Sequence, residues 1–133
     1  MHQLEFSQVY RYRSTASGIS IPVVLKSGGE VADLLAYLDT GASDCLFERK
    51  HGELLDLEIE AGDRRTFRTA TGGVDAFGHI VELEVLGLNF ESMVYFFGDE
   101  RINKNLLGRA GWLDRIRLGL VDYDGELYLA PYD

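Results

Sequence analysis

Cysteine is almost missing: Cys45 stands alone in 133 residues. One thiol closes no internal disulfide, so a disulfide-stapled secreted scaffold is excluded, and a reducing cytoplasm is the expected location. Proline is scarce too, with two residues, and no Pro-rich or low-complexity linker divides the chain. No apolar run approaches the ~20 residues a membrane helix needs, so no membrane partner is expected. The start, Met1-His2-Gln3-Leu4-Glu5, lacks a basic stretch followed by an apolar one, and no secretory signal is expected there. Basic residues are outnumbered 13 to 22, giving a formal charge of −9. That balance argues against nucleic acid and anionic lipid surfaces, which attract cationic patches. It also raises the pKa of any carboxylates the fold brings together.

Several chemistries fall with the motifs that are missing. Gly41-Ala42-Ser43-Asp44-Cys45 starts like a nucleophile elbow but has no Gly two residues after the Ser. Gly28-Gly29 and Gly72-Gly73 are not followed by the Lys-Ser/Thr of a phosphate loop. His2, His51 and His79 are scattered without ligand spacing, so neither a metal nor any other cofactor is expected. Cys45 reads as a small buried hydrophobe rather than a reactive thiol.

What is present favours strands. Seven Phe and seven Tyr accompany many Val, Leu and Ile, and 46% of residues are hydrophobic. That is enough for one core, and a single domain over residues 1–133 is expected. Leu4 to Tyr12 alternates loosely, as an edge strand does. Ile19–Leu25 and Val31–Leu38 flank Ser27-Gly28-Gly29-Glu30 and read as a hairpin, with Pro22 confining the first strand to an edge or bulge. Phe47 to Leu55 has a short helical pattern weakened by Gly52. Arg64–Ala70 and His79–Val85 are further strands around a Gly-rich tip, Thr71 to Gly78. In the second of them Val81, Leu83 and Val85 alternate with Glu82 and Glu84. Phe90–Phe97 is another strand, and Trp112 to Ile116 reads as one or two helical turns. Ile116–Val121 and Glu126–Leu129 close the chain as a hairpin on Tyr123-Asp124-Gly125.

The chemistry concentrates at Leu38-Asp39-Thr40-Gly41-Ala42-Ser43. A strand-like run delivers Asp39 into a Gly-permitted turn, where backbone N–H groups can point at its carboxylate. An acid so placed is either a local turn acceptor or a catalytic group. Two later features decide between them: the Gly-tipped hairpin, and the apolar-apolar-Gly-Arg stretch Leu106-Leu107-Gly108-Arg109.

Together these residues resemble the retropepsin-like aspartic proteases, the single-lobe relatives of pepsin. Leu38 to Ser43 is similar to the family's hydrophobic-Asp-Thr/Ser-Gly signature, Thr69 to Gly78 to its flap, and Leu106 to Arg109 to its late Gly-Arg motif. The resemblance runs from about Ile19 to Leu129. It implies an all-β fold, a closed acid-protease β-barrel lobe with one short C-terminal helix. It implies that Asp39 is the catalytic carboxylate and that Thr40 bonds across to a second subunit's turn. Gly41 would admit water and substrate where a Cβ would obstruct, and Ala42 would leave room for substrate. Ala70, Thr71, Gly72 and Gly73 would close over an extended peptide held by backbone hydrogen bonds. Gly108 would pack its bare backbone under the turn, and Arg109 would brace it. In viral members an Asp two residues after the signature Gly pairs with that Arg; here Ser43 stands in its place and Asp44 follows.

Peptide hydrolysis by two carboxylates needs one as base toward water and one as acid toward the carbonyl. Close like charges cannot both ionise cheaply, so the pair shares a proton; aspartic proteases are themselves the type case. This chain carries one Asp-Thr-Gly and no second copy. An active enzyme therefore has to be a homodimer acting on peptide or protein substrates, with one Asp39 from each protomer, and an acidic optimum is expected. Two alternatives stand beside it: a non-catalytic peptide-binding or dimerisation module on the same fold, and a small binding barrel unrelated to proteases.

Overall fold

Alternation of apolar and polar residues builds the core. Among residues 1–132, which the computed structural model describes, ten strands form two sheets. The strands are β1 (Gln8–Arg11), β2 (Ser20–Ser27), β3 (Glu30–Leu38), β4 (Leu46–Phe47) and β5 (Asp63–Thr69). They continue as β6 (Gly72–Val85), β7 (Leu88–Phe97), β8 (Leu106–Leu107), β9 (Ile116–Val121) and β10 (Glu126–Pro131). Seven strands run in the order β2-β3-β8-β4-β7-β6-β5, and a further pairing of β2 with β6 closes the first six into a barrel. β1, β10 and β9 make a separate antiparallel sheet.

Inward residues of β2 (Ile21, Val23, Leu25) meet Ala32 and Ala36 of β3 and Val81, Leu83 and Val85 of β6. Leu127 and Leu129 join the same cluster from β10, so the small sheet shares the barrel's core. Each Val, Leu or Ile among them contributes about 1.5–3 kcal/mol when taken out of water. A second, smaller cluster gathers Leu46, Ala76, Tyr95 and Phe97, with Phe67, Val74 and Leu106 packed against it.

The turn at Gly28-Gly29 joins β2 to β3; both glycines have positive φ, at 56° and 86°, as a two-residue hairpin turn demands. Pairing of β2 with β6 begins at Val23, so Pro22 lies just outside the doubly paired stretch. The expected helix near residue 50 is α1 (Arg49–Leu54). Its Gly52 is there for space: a Cβ would lie 2.5 Å from Ile59 and 3.0 Å from Phe96. The segment after Gly108 is a single 3-10 turn, Leu113–Arg115, held short by Trp112 and Ile116, which are both buried at its ends.

One expectation changes in extent. β6 begins at Gly72 and pairs residue by residue with β5 as far as Gly78, leaving only Ala70-Thr71 as the tip. The glycines expected to loosen a loop lie in the strand, where Gly73 passes so close to Thr66 that a Cβ would lie 2.9 Å from its Cγ2. No helix among the described residues is long and apolar enough to cross a membrane.

Candidate active site

Asp39 is the first residue beyond β3. Its N–H donates to the Leu107 carbonyl of β8 at 3.0 Å, one step after Leu38 donates to Ile19 at 2.9 Å. The chain then turns: Ala42 N–H donates to the Asp39 carbonyl at 3.1 Å, and Gly41 N–H to the Asp39 Oδ1 at 2.9 Å. The carboxylate is thus oriented by its own turn and half-exposed. Thr40 is exposed at the apex.

Beneath the turn lies the strand end after β8. Arg109 N–H donates to the Ala42 carbonyl at 3.0 Å and Ala110 N–H to the Ser43 carbonyl at 2.9 Å. Gly108 sits hard against the same loop: a Cβ there would collide with the Asp44 carbonyl oxygen and lie 2.8 Å from that of Ala42. Arg109 reaches the turn through its backbone; among the described residues its guanidinium makes no ion pair.

The acid that is braced is Asp44, 6% exposed. Its Oδ2 accepts from Ser43 Oγ at 2.9 Å and from Arg65 Nη1 of β5 at 3.1 Å. Arg65 lies over the rings of Phe67 and Tyr95, 4.9 and 5.2 Å from their centroids, and donates to the Tyr95 hydroxyl at 3.4 Å. Sequence reasoning missed this contact. The alternation of Arg65 with Phe67 was its one trace, and it becomes informative only once β5 is known to lie over the loop. Next to Asp44, burial pushes the Cys45 thiol up to about 12, which leaves it protonated and inert.

Two clefts flank Asp39. One, of about 340 Å³, lies between the Asp39–Ser43 turn and the β5–β6 hairpin and includes Gly41, Ala42 and Ala70. The other, of about 530 Å³, runs between Gly18, Tyr37 and the loop before β8. Thr71 at the hairpin tip, and Gly72 and Gly73 at the start of β6, lie outside both linings. The tip is tied by Thr69 Oγ1 donating to the Gly72 carbonyl at 2.7 Å. Among the described residues no group of His, Cys, Asp and Glu converges as a metal site would require.

No family model and no curated protein matches this chain. Solved structures do. A retropepsin-like aspartic protease from Rickettsia conorii is similar with a TM-score of 0.70 at 20% identity, over 93% of this chain and 99% of that one. EIAV protease, complexed with the inhibitor HBY-793, gives 0.57 at 19% identity, over 74% and 88%. Identity this low speaks for architecture rather than chemistry. The chain has the retropepsin-like aspartic-protease fold.

Proposed function

We propose that the protein is an aspartic endopeptidase, active as a homodimer in which two Asp39 carboxylates share one proton across a two-fold axis. The observation that carries this reading is the seating of Asp39: a half-exposed carboxylate, oriented by the Gly41 N–H, between two clefts of a retropepsin-like fold. One acid turn per chain supplies half of a dyad, so the second half has to come from a second copy.

In this mechanism the ionised Asp39 takes a proton from water while the protonated one donates to the peptide carbonyl oxygen. The resulting tetrahedral intermediate collapses as the amine leaves with a proton from the dyad. Thr40 links the two turns, and Gly41 and Ala42 leave space for the water and the extended backbone. The hairpin residues Ala70, Thr71, Gly72 and Gly73 cover the bound peptide. Gly108 and the Arg109 backbone fix the height of the turn from below, which matters because small misplacement of a reacting group costs large factors in rate.

The test is Asp39→Asn, isosteric and unable to ionise, assayed on unfolded casein with cleavage read by mass spectrometry. Cleavage is expected to vanish while the thermal melt is unchanged, and wild-type specific activity should fall as the enzyme is diluted below its dimer dissociation constant. Unaltered hydrolysis by the variant ends the proposal; peptide binding without hydrolysis in both proteins makes this a binding module.

A further inference from the structure

The clefts beside Asp39 are basic in a chain that is not. Acidic residues outnumber basic ones by 22 to 13, yet Asp39 is the lone carboxylate on either lining among the described residues. Lys104 lines both clefts, and Arg68 lines the one under the hairpin. Most cations near this site are already committed. Arg64 and Arg65, on the same strand as Arg68, bind Asp75 at 3.0 Å and Asp44 at 3.1 Å. Arg101, in the same loop as Lys104, holds Asp99 at 2.9 Å. Arg68 and Lys104 form no ion pair among the described residues.

The backbone beside Lys104 is also held in place. Its neighbour Asn105 accepts the Glu48 N–H on its side-chain oxygen at 2.9 Å and the Tyr37 N–H on its carbonyl at 2.8 Å. The loop is thus tied on two sides, and the exposed Lys104 it carries borders both clefts. Arg64 and Thr66 both bond Asp75 while Arg65 and Phe67 both meet Tyr95, so alternation turns the Arg68 side chain away from the apolar cleft wall of Phe67, Val74 and Leu106, and Lys104 is the cation beside that wall.

From this arrangement we infer that the site selects peptides carrying Asp or Glu beside an apolar residue, the carboxylate read by Lys104 and the apolar side chain by that wall. The inference rests on the endopeptidase reading for its chemistry, but not for its recognition. The repulsive field of the chain as a whole does not forbid it. At physiological salt, charges beyond about 8 Å are largely screened, whereas a cation at the cleft acts at contact distance.

Three synthetic peptides test it, sharing a central Phe-Leu and differing only in flanking Glu, Gln or Lys. Two readouts are taken: kcat/KM for wild type, and binding to Asp39→Asn by fluorescence anisotropy. The Glu peptide is expected to exceed the Gln peptide roughly threefold in both, a reasonable figure for one exposed charge contact, and the Lys peptide to be poorest. Lys104→Glu should reverse that order at an unchanged melting temperature; using ratios between peptides cancels any effect of the new charge on Asp39 itself. Equal values for the three peptides, or an order unchanged in the Lys104→Glu variant, overturns the inference. Cleavage without charge preference sinks the inference and leaves the protease; charge-selective binding without cleavage does the reverse.

Discussion

Replacing Gly108 by Ala should cost the protein stability and the site its alignment. The added Cβ would collide with the Asp44 carbonyl oxygen, while lying 2.7 Å from the Asp44 carbonyl carbon and 2.8 Å from the Ala42 carbonyl oxygen. Ordinary contacts begin near 3.4 Å, so the loop has to retreat by about 1 Å, and every obstructing atom is backbone. The retreat stretches two hydrogen bonds, Arg109 N–H to the Ala42 carbonyl at 3.0 Å and Ala110 N–H to the Ser43 carbonyl at 2.9 Å. Two stretched hydrogen bonds losing about 0.5 kcal/mol each, with overpacking at about 1–3 kcal/mol, give a loss of about 3 kcal/mol. For a chain of 133 residues, unfolding entropy of about 2.1 cal/mol/K per residue turns each kcal/mol into about 3.5 °C. Calorimetry should therefore place the variant about 10 °C below wild type. Because the same loop carries Asp39, peptide cleavage measured well below both melts should fall by about 10-fold or more. A melt within about 2 °C of wild type would show that the loop yields freely and that Gly108 does not set its height.

Two further outcomes follow from charges around the same framework. Arg65→Met keeps a stem against Phe67 and Tyr95 but leaves Asp44 buried without its cation. Breaking a fully buried pair costs about 3–5 kcal/mol, and the 46% exposure of the Arg65 side chain reduces the expected loss to about 1–2 kcal/mol. Urea melts should show that loss and its partial recovery when Asp44→Asn is added; no loss, or no recovery, refutes the pairing. His51 is 7% exposed, and burial lowers its imidazole below the ordinary value near 6.5, opposed by Glu48 at 3.3 Å. The unfolded chain then binds this proton more readily than the native one, so stability is full above about pH 6.5 and declines on acidification towards the lower native value. Urea midpoints followed downward from pH 7 should fall more steeply for wild type than for His51→Gln, and parallel curves would refute the assignment. An enzyme with an acidic optimum would work where this residue opposes folding.

Local hydrogen bonding and strict alternation were legible in the sequence; pairing between distant strands was not. The β2–β3 hairpin announced itself through two glycines that both take positive φ, and the terminal hairpin through Asp124-Gly125, whose glycine has φ of 64°. Val81, Leu83 and Val85 are buried while Glu82 is exposed and Glu84 half-exposed, as their alternation requires. The reading of Thr71 to Gly78 as a loose tip failed because glycine has two uses in a sheet. It turns a chain, or it lets strands pass closely, and only the partner strand says which. Gly78 is of the second kind, since a Cβ there would lie 2.8 Å from Met93 Sδ and 2.9 Å from the Tyr95 ring.

The site divides along the same line. The orientation of Asp39 depends on Gly41, two residues away, and so could be read from six letters. Its second support, Arg65 on Asp44, spans 21 residues and depends on the register of β5 against β6 and on the position of Tyr95. The acid's position in the loop explains why Arg65 rather than Arg109 holds it. Asp44 forms an isolated bridge with Ala110, so the chain is extended there, and successive side chains on extended backbone point to opposite sides. An acid at position 44 rather than 43 therefore faces away from the strand end below and toward the hairpin above. The turn is then held from beneath by the backbones of Gly108 and Arg109 and from above by a guanidinium on β5. A displacement of the hairpin strand at Arg65 therefore has to break the ion pair or carry Asp44 with it, which couples the cover of the cleft to the loop that holds Asp39.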